Sequence, residues 1–280
     1  NPNLGRSIKL EYLQDQCKQA RENPRLENDF KRYHLNLWVE QAVRWIAMDH
    51  WRQCTADPSD KERWRKMEQE LAGRPCYGGL DLAQTRDINA LVWFFPKVEG
   101  KPAAVLCRFF VPGENVALRS RRDRVPYDAW ARDGILIATP GNITDYDFIK
   151  EQVFRDATAF QVQGLAIDRW NATHLANQLQ AEGLPVVLFG QGFASMGAPT
   201  KELERLVMGH DFDHGSHPIL SWMAMNAAIT SDSAGNIKPA KDKATEKIDG
   251  IVALIMGVGL NMASPEAAPS IYESRGALVL

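Results

Sequence analysis

Three aspartates stand out because each lies within or at the end of an apolar segment. Asp81 follows Gly79 and Leu80, Asp168 ends a short apolar run, and Asp249 lies near the start of the run 248–260. An isolated carboxylate in a buried element is costly unless it is paired or binds a metal. Three such acids therefore predict a divalent-metal site.

A cluster of aspartates supplies the oxygen ligands that hard cations such as Mg²⁺ or Mn²⁺ require. Two such ions about 3.5–4 Å apart can activate a water and stabilise the leaving oxygen of a phosphodiester. We expect Asp81 to bridge two metal ions, Asp168 to bind one of them and Asp249 to bind the other. The alternative for each acid alone is a structural role, as a strand cap or as the partner of an arginine.

The predicted strands position these acids. Because side chains alternate between the faces of a strand, Leu80 and Leu82 point to one face and Asp81 to the other. In a second strand, Asp168 shares a face with Ala166 by the same rule. We expect the two strands to be neighbours at the centre of a sheet, with both acids facing the same way.

The order of elements predicts the fold class. Short turns join the predicted strands 77–83, 88–95 and 103–111, which indicates an antiparallel meander. Strand and helix units follow, and an apolar helix that carries Asp249 closes the chain. This order predicts an α/β fold over residues 76–280, a ribonuclease H-like mixed sheet flanked by helices.

Residues 1–75 differ from the remainder and predict a small helical linker or lid. Helices are expected over 7–20, 27–38 and 58–71, with Asp57 as the N-cap of the last. Four tryptophans are expected to form a small aromatic core for this segment: Trp38, Trp45, Trp51 and Trp64.

The charge balance limits how this chain can contact nucleic acid. Its net charge is −2, so any contact with DNA must come from local basic patches. One candidate patch is the arginine cluster 119–124; another is formed by Lys241, Lys243 and Lys247. For both patches the alternative is solvated side chains.

The sequence also argues against disulfide bonds, a membrane span and an ATPase site. The four cysteines are scattered without a C-x-x-C pair, which favours reduced thiols in a cytosolic protein. The longest apolar run, 250–260, is well short of the roughly 20 residues that span a bilayer, so no membrane partner is expected. The glycine-rich stretch 190–197 lacks a following Gly-Lys-Ser/Thr, so this chain has no ATPase signature of its own.

Additional polar side chains lie near these motifs. Asp87 and Glu246 are spare carboxylates for which we favour structural or supporting roles. The spacing of His210, His214 and His217, with Asp211 and Asp213 between them, is similar to some zinc patterns. Neighbouring glycines and a proline make that stretch a loop, which disfavours a zinc site.

Six blocks of the sequence resemble the large subunit of tailed-bacteriophage terminases, specifically its C-terminal nuclease region, and occur in that family's order. They are residues 1–5 (NPNLG), 32–38 (RYHLNLW), 79–83 (GLDLA), 190–193 (GQGF), 199–204 (PTKELE) and 247–250 (KIDG). The resemblance covers nearly the whole chain. An ATPase motor precedes the nuclease in that family, so the chain resembles a piece that begins after the motor.

The resemblance implies an endonuclease that cuts concatemeric double-stranded DNA during genome packaging. It places the family's three metal-binding acids on Asp81, Asp168 and Asp249; Asp156 competes with Asp168 only if the strand prediction is wrong. The implied partners are double-stranded DNA, the small terminase subunit and the portal of the procapsid. The implied location is the host cytoplasm, with transient docking on the procapsid.

Two alternatives remain open at this stage. One is a non-catalytic docking module that grips DNA or a portal without cutting it. The other keeps the fold but makes the protein a different ribonuclease H-like nuclease, such as a resolvase. A docking module does not need three buried carboxylates, and the terminase-like blocks argue against a resolvase.

Overall fold

The computed structural model describes residues 4–5, 7–22, 26, 30–37, 45–83, 88–98, 100–169, 173–244 and 246–264. Within these ranges a mixed sheet is covered by helices, and a two-stranded hairpin lies beside it. The sheet strands are β1 (Pro75–Asp81), β2 (Asn89–Phe95), β3 (Ala103–Pro112), β4 (Ile137–Thr139), β5 (Gln161–Asp168), β6 (Val186–Phe189) and β7 (Phe212–Asp213). The hairpin strands are β8 (Ile229–Ser231) and β9 (Ile237–Pro239).

The described α-helices, numbered in chain order, are α1 (Leu10–Glu22), α2 (Met48–Gln53), α3 (Arg63–Glu70), α4 (Val116–Asp123), α5 (Tyr127–Arg132), α6 (Tyr146–Ala159), α7 (Thr173–Ala181), α8 (Phe193–Met208), α9 (Pro218–Asn226) and α10 (Asp249–Ala263). A short π-helical turn (Phe30–His34) and a 3-10 turn (Gly113–Asn115) complete the helical elements of the described ranges.

The sheet order is β4-β3-β2-β1-β5-β6, with β7 paired to the start of β3. Strand β2 is antiparallel to both of its neighbours, which confirms the predicted meander. Strands β1, β5 and β6 are mutually parallel, so their carboxyl ends meet at one edge of the sheet. The predicted ribonuclease H-like mixed sheet flanked by helices is therefore confirmed.

Alternating side chains along the strands supply two separate cores. Leu80 and Ile167 belong to the core on one face of the sheet, which α6 and α7 cover. Ala90 and Ala166 belong to the core on the other face, which α10 covers. Both faces of the central strands are buried, which is why β2 reads as a continuous apolar run rather than an alternating one.

Helix α10 lies unusually close to β1, and glycine permits this approach. A Cβ atom at Gly79 would lie 1.8 Å from the carbonyl oxygen of Ala253, a backbone atom that cannot rotate away. On the helix side, a Cβ atom at Gly257 would lie 2.9 Å from the carbonyl oxygen of Tyr77. The two backbones therefore touch directly, with no side chain between them.

Residues before the sheet partly depart from the expected helices. The helix expected over 58–71 begins only at Arg63, because Asp57 accepts hydrogen bonds from Ser59 in a preceding turn instead of capping the helix. Helix α2 was not predicted. Of the helix expected over 27–38, the described residues 30–37 form only the π-helical turn Phe30–His34, and residues 27–29 and 38 lie outside the described residues. The division of the chain at residue 75 stays a prediction.

The tryptophans of this first segment do not form a core of their own. Trp45 and Trp51 are fully buried in the main core beneath α10. Trp51 stacks on the imidazole of His214 at a centroid distance of 4.3 Å, and Trp64 packs edge-on against His217 at 5.0 Å. Trp38 lies outside the described residues.

The long connection between β3 and β4 forms α4 and α5, neither of which was predicted. Of the arginine cluster, Arg119 is buried with its guanidinium 5.3 Å from the ring centre of Tyr127, whereas Arg121, Arg122 and Arg124 are exposed. Among the described helices, none has the length and apolar content needed to cross a membrane.

Replacing Gly79 with alanine should strongly destabilise the fold, because the new methyl group would overlap the backbone of α10. Overpacking in a core costs about 1–3 kcal/mol, and a clash with backbone should reach or exceed that range. Urea denaturation measures the loss. Gly192→Ala is the matched control, since a Cβ there meets no atom within 4 Å, and a loss as small as the control's would contradict the close approach.

Two buried histidines should make folding stability fall in mild acid. Burial lowers the pKa of His214 to about 4 and that of His217 to about 3. The unfolded chain, with histidine pKa values near 6.5, then binds protons more readily. The stability that the two histidines contribute is full above about pH 6.5 and falls as the pH drops towards 4, by up to about 2.7 kcal/mol per pH unit. Below about pH 6 the raised pKa of Asp81 offsets about half of this loss.

Urea denaturation at pH 7.5, 6 and 5 tests this pH dependence. The variant His214→Gln should lose about half of the slope that the two histidines contribute, whatever its absolute stability. The control His174→Gln changes a histidine on the surface of α7 and should keep the full slope. A free energy of unfolding that is constant from pH 7.5 to 5 would contradict the assignment.

Candidate metal centre

Asp81 occupies the last position of β1, at the edge where the parallel strands end. Its side chain is buried at 3% exposure and lies on the same face as Gly79, towards α10. The chain just beyond it is fixed, because the Asn89 side chain accepts a hydrogen bond from the Ala83 amide at 2.8 Å. Asp81 is thus a rigidly placed carboxylate beneath the closing helix.

Asp249 is the first residue of α10, where the positive end of the helix dipole favours a carboxylate. The preceding residue, Ile248, provides no side-chain cap. The Oδ2 atom of Asp249 is buried and has no hydrogen-bond partner among the described residues. The close packing of α10 on β1 brings this carboxylate to the site of Asp81.

The ammonium of Lys241 joins these two acids. Its Nζ atom donates to Oδ2 of Asp81 at 2.7 Å and to Oδ1 of Asp249 at 2.9 Å. The sequence offered Lys241 as a contact for the scissile phosphate or as a solvated side chain. In the structure it is instead a cation held between two carboxylates.

The pKa values of Asp81 and Lys241 reflect this arrangement. Burial raises the pKa of Asp81 to about 6; the Lys241 ammonium opposes the rise and the Asp249 carboxylate adds to it. Burial would lower the pKa of Lys241, but the two carboxylates outweigh it and raise that pKa above its ordinary value. The two carboxylates therefore stabilise a positive charge placed between them.

Asp168 lies on the neighbouring strand at the equivalent level. The register pairs Leu80 with Ile167, so Asp81 and Asp168 are each one position further along adjacent parallel strands. Asp168 is also buried, at 9% exposure. Across the described part of the chain, no three His, Cys, Asp or Glu side chains converge as they would around a bound metal ion.

The acids match the donor chemistry of a hard divalent cation. All three supply only oxygen atoms, and Asp81 and Asp249 already share one positive charge between them. The buried, unpartnered Oδ2 of Asp249 is an acceptor that such an ion would satisfy. The residues present therefore fit a divalent cation at the position that the lysine ammonium now holds.

Gln191 also contacts the site, although the sequence analysis did not select it as a site residue. Its Nε2 atom donates to Oδ1 of Asp81 at 3.3 Å. Its backbone oxygen accepts a hydrogen bond from Lys238 on the hairpin at 3.2 Å. Gln191 follows β6, so the signal in the sequence was its position after a strand that ends at the same edge.

Asp156, the competitor for the second acid, has a structural role. It lies on α6, on the other side of the sheet from α10, and is almost fully buried. It forms an ion pair with Arg108 at 3.0 Å and accepts a hydrogen bond from the indole of Trp93 at 2.8 Å. Of Asp156 and Asp168, it is therefore Asp168 that lies at the edge of the sheet where Asp81 is found.

The histidine-rich loop is engaged in packing and pairing. Asp213 forms an ion pair with Arg63 at 2.7 Å, and His210 forms a hydrogen bond with His50 at 3.0 Å. The side chain of His217 accepts from the Leu220 amide and so caps α9. Of the spare carboxylates, Glu246 is exposed, and Asp87 lies outside the described residues.

Comparisons with known proteins agree on one family. The family model described as terminase large subunit, endonuclease domain, matches residues 1–265. The chain is 35% identical to the terminase large subunit of Enterobacteria phage HK97 over 262 residues, which are 92% of this chain and 49% of that protein. It is 34% identical to protein YmfN of Escherichia coli over 272 residues, 94% of this chain and 58% of that protein.

Among solved structures, the HK97 bacteriophage large terminase superposes with a TM-score of 0.68 at 34% identity. The superposition covers 93% of this chain and 52% of that one. The chain thus spans about half the length of the curated relatives that it matches.

Removing the Lys241 ammonium should destabilise the metal-free protein. Lys241→Met leaves two neighbouring carboxylates without a counter-charge, at a cost of about 1–3 kcal/mol because the lysine is half-exposed and partly screened by water. Thermal melts in EDTA and in millimolar Mn²⁺ test this, and Mn²⁺ should recover much of the loss. The control is Lys201→Met, which replaces an exposed lysine on α8. An equal melting temperature for both variants in EDTA would refute the role of Lys241.

Proposed function

This chain belongs to the family of terminase large subunit endonuclease domains, and from that premise we propose that it is a metal-dependent DNA endonuclease. The observation that carries the proposal is the pair of carboxylates, the buried Asp81 and the partly buried Asp249, that share one cation at the edge of the sheet. Buried carboxylates held together in this way are expensive unless a cation binds them.

The proposed reaction is hydrolysis of a phosphodiester by a two-metal mechanism with Mg²⁺ or Mn²⁺. Asp81, Asp168 and Asp249 would hold the ions, with Asp81 between the two. When bound, the ions would supply an activated water and a counter-charge for the leaving oxygen.

The residues around the acids have supporting roles in this proposal. Gln191 orients the Asp81 carboxylate through its amide. The core beneath α10 fixes the helix start that presents Asp249. Lys241 supplies the counter-charge of the two acids, and its ammonium occupies the position that a bound ion would need.

We also propose the biological setting that the family relationship supports. The substrate would be concatemeric double-stranded DNA, which is cut at the start and end of genome packaging. The partners would be the small terminase subunit and the portal of the procapsid. The place of action would be the host cytoplasm, during transient docking on the procapsid.

Neutralising either central acid should abolish cleavage without unfolding the protein. Asp81→Asn and Asp249→Asn should each lower Mn²⁺-dependent nicking of plasmid DNA by at least about 100-fold, because each removes a metal ligand. The measurement is a supercoiled-plasmid assay with Mn²⁺ or with EDTA, alongside circular dichroism of each variant.

Asp49→Asn is the matched control, since Asp49 is an exposed acid on α2, outside the site, and should keep full activity. EDTA should abolish nicking by the wild-type protein. Full activity of Asp81→Asn, or cleavage that persists in EDTA, would show that the proposed site is wrong.

A further inference from the structure

A cavity of about 390 Å³ opens beside the two central acids, between the β8–β9 hairpin and α10. The polar residues that line it are Gln191, Thr230, Lys238, Lys241 and Asp242. Lysines are concentrated here, with three in the six residues 238–243. The cavity therefore combines open volume with positive charge next to the carboxylates.

Two of these lysines carry charge that no acid balances. The Nζ atom of Lys238 donates to the carbonyl oxygen of Gln191 at 3.2 Å and lies 5.3 Å from the ring centre of Phe193. The Nζ atom of Lys243 donates to the hydroxyl of Thr230 at 3.2 Å. Both ammonium groups are thus hydrogen-bonded to neutral oxygens, and neither forms an ion pair within the described ranges.

Three lysines elsewhere in the described structure are paired with acids. Lys66, Lys97 and Lys150 each pair with an aspartate at 2.6–3.1 Å. The nearby acids do not neutralise the cavity lysines either. Asp232 is occupied by Asn236 and by backbone amides of the hairpin turn, while Asp242 is exposed without a lysine partner in the described structure.

We propose that this cavity is a binding site for a phosphodiester group of the nucleic-acid strand, contacted by Lys238 of its lining and by Lys243, which lies beside the cavity with its ammonium on the hydroxyl of the lining residue Thr230. A phosphate supplies the negative charge that both ammonium groups lack, and lysine binds it as a point charge without strict geometry. The inference rests on the proposed nuclease function, since it identifies a second phosphate contact of the same substrate.

Gln191 fixes where this phosphate lies relative to the reaction. Its backbone oxygen contacts Lys238 and its side chain contacts Asp81, so a single residue separates the lysine from the central acid. The bound group is therefore a phosphate close to the one that is cleaved. Its role is to hold the strand in register, and it takes no part in the chemical step.

Binding of labelled double-stranded DNA in EDTA, measured by fluorescence anisotropy at several salt concentrations, tests this site. Lys238→Met and Lys243→Met should each lower the affinity about 3- to 10-fold. Each should also reduce the slope of log K against log salt by about 1, the change expected for one lost phosphate contact. Lys238→Arg should keep most of the affinity, and circular dichroism should show that all variants are folded.

Lys97→Met is the matched control, because it removes the same charge just beyond the end of β2, at the opposite edge of the sheet. The proposal is overturned if both cavity variants bind DNA as tightly as this control. It is also overturned if only Arg121→Met and Arg122→Met on α4 weaken binding, because the DNA strand would then bind to α4 and not to the cavity.

The outcomes separate this inference from the nuclease assignment. Loss of binding in the lysine variants, with no cleavage by the wild type in any metal, would support the phosphate site and refute the nuclease. Metal-dependent cleavage, with binding unchanged in the lysine variants, would refute the phosphate site alone.

Discussion

The direct contact between α10 and β1 is the constraint on which the rest of the structure depends. Because Gly79 has no side chain, the backbone at Ala253 can approach the central strand closely. That approach carries the first residue of the helix, Asp249, to the end of the strand where Asp81 lies. The buried carboxylate of Asp81 and the partly buried one of Asp249 thus lie in one site, bridged by Lys241.

Two neighbouring carboxylates repel each other, and Lys241 supplies the positive charge that offsets this repulsion. Its ammonium contacts both carboxylates. Because the lysine side chain is half-exposed, its charge is not fully removed from water. The lysine therefore occupies the carboxylate oxygens that the proposed divalent ion would need. In this proposal the ion would take the place of the ammonium.

Positive charge around the site is local, in a chain whose net charge is −2. The hairpin and the turn after it place their lysines beside the acids, and α4 carries its exposed arginines after β3, which ends at the same edge of the sheet. Strand direction explains this, because β1 and β3 are both antiparallel to β2 and so end together. A single edge thus gathers both the acids and the basic groups.

Much of this arrangement could be predicted from the sequence, and the failures have physical causes. Period-2 alternation around Asp81 and Asp168 correctly gave neighbouring strands and a shared face. The start of α3 was misplaced because Asp57 satisfies a turn instead of the helix, and both choices look alike in sequence. The contacts of Lys241 and Gln191 could not be predicted, since they depend on side chains about 110 and 160 residues from Asp81 meeting at one point.

The most direct test of the central claim is a crystal structure of this chain grown in Mn²⁺, with anomalous scattering used to locate the metal. We expect an anomalous peak in contact with Asp81 and Asp249, and a Lys241 ammonium that has moved away from them. Lys241 still bridging the two carboxylates at saturating Mn²⁺, with no anomalous peak beside them, would contradict it.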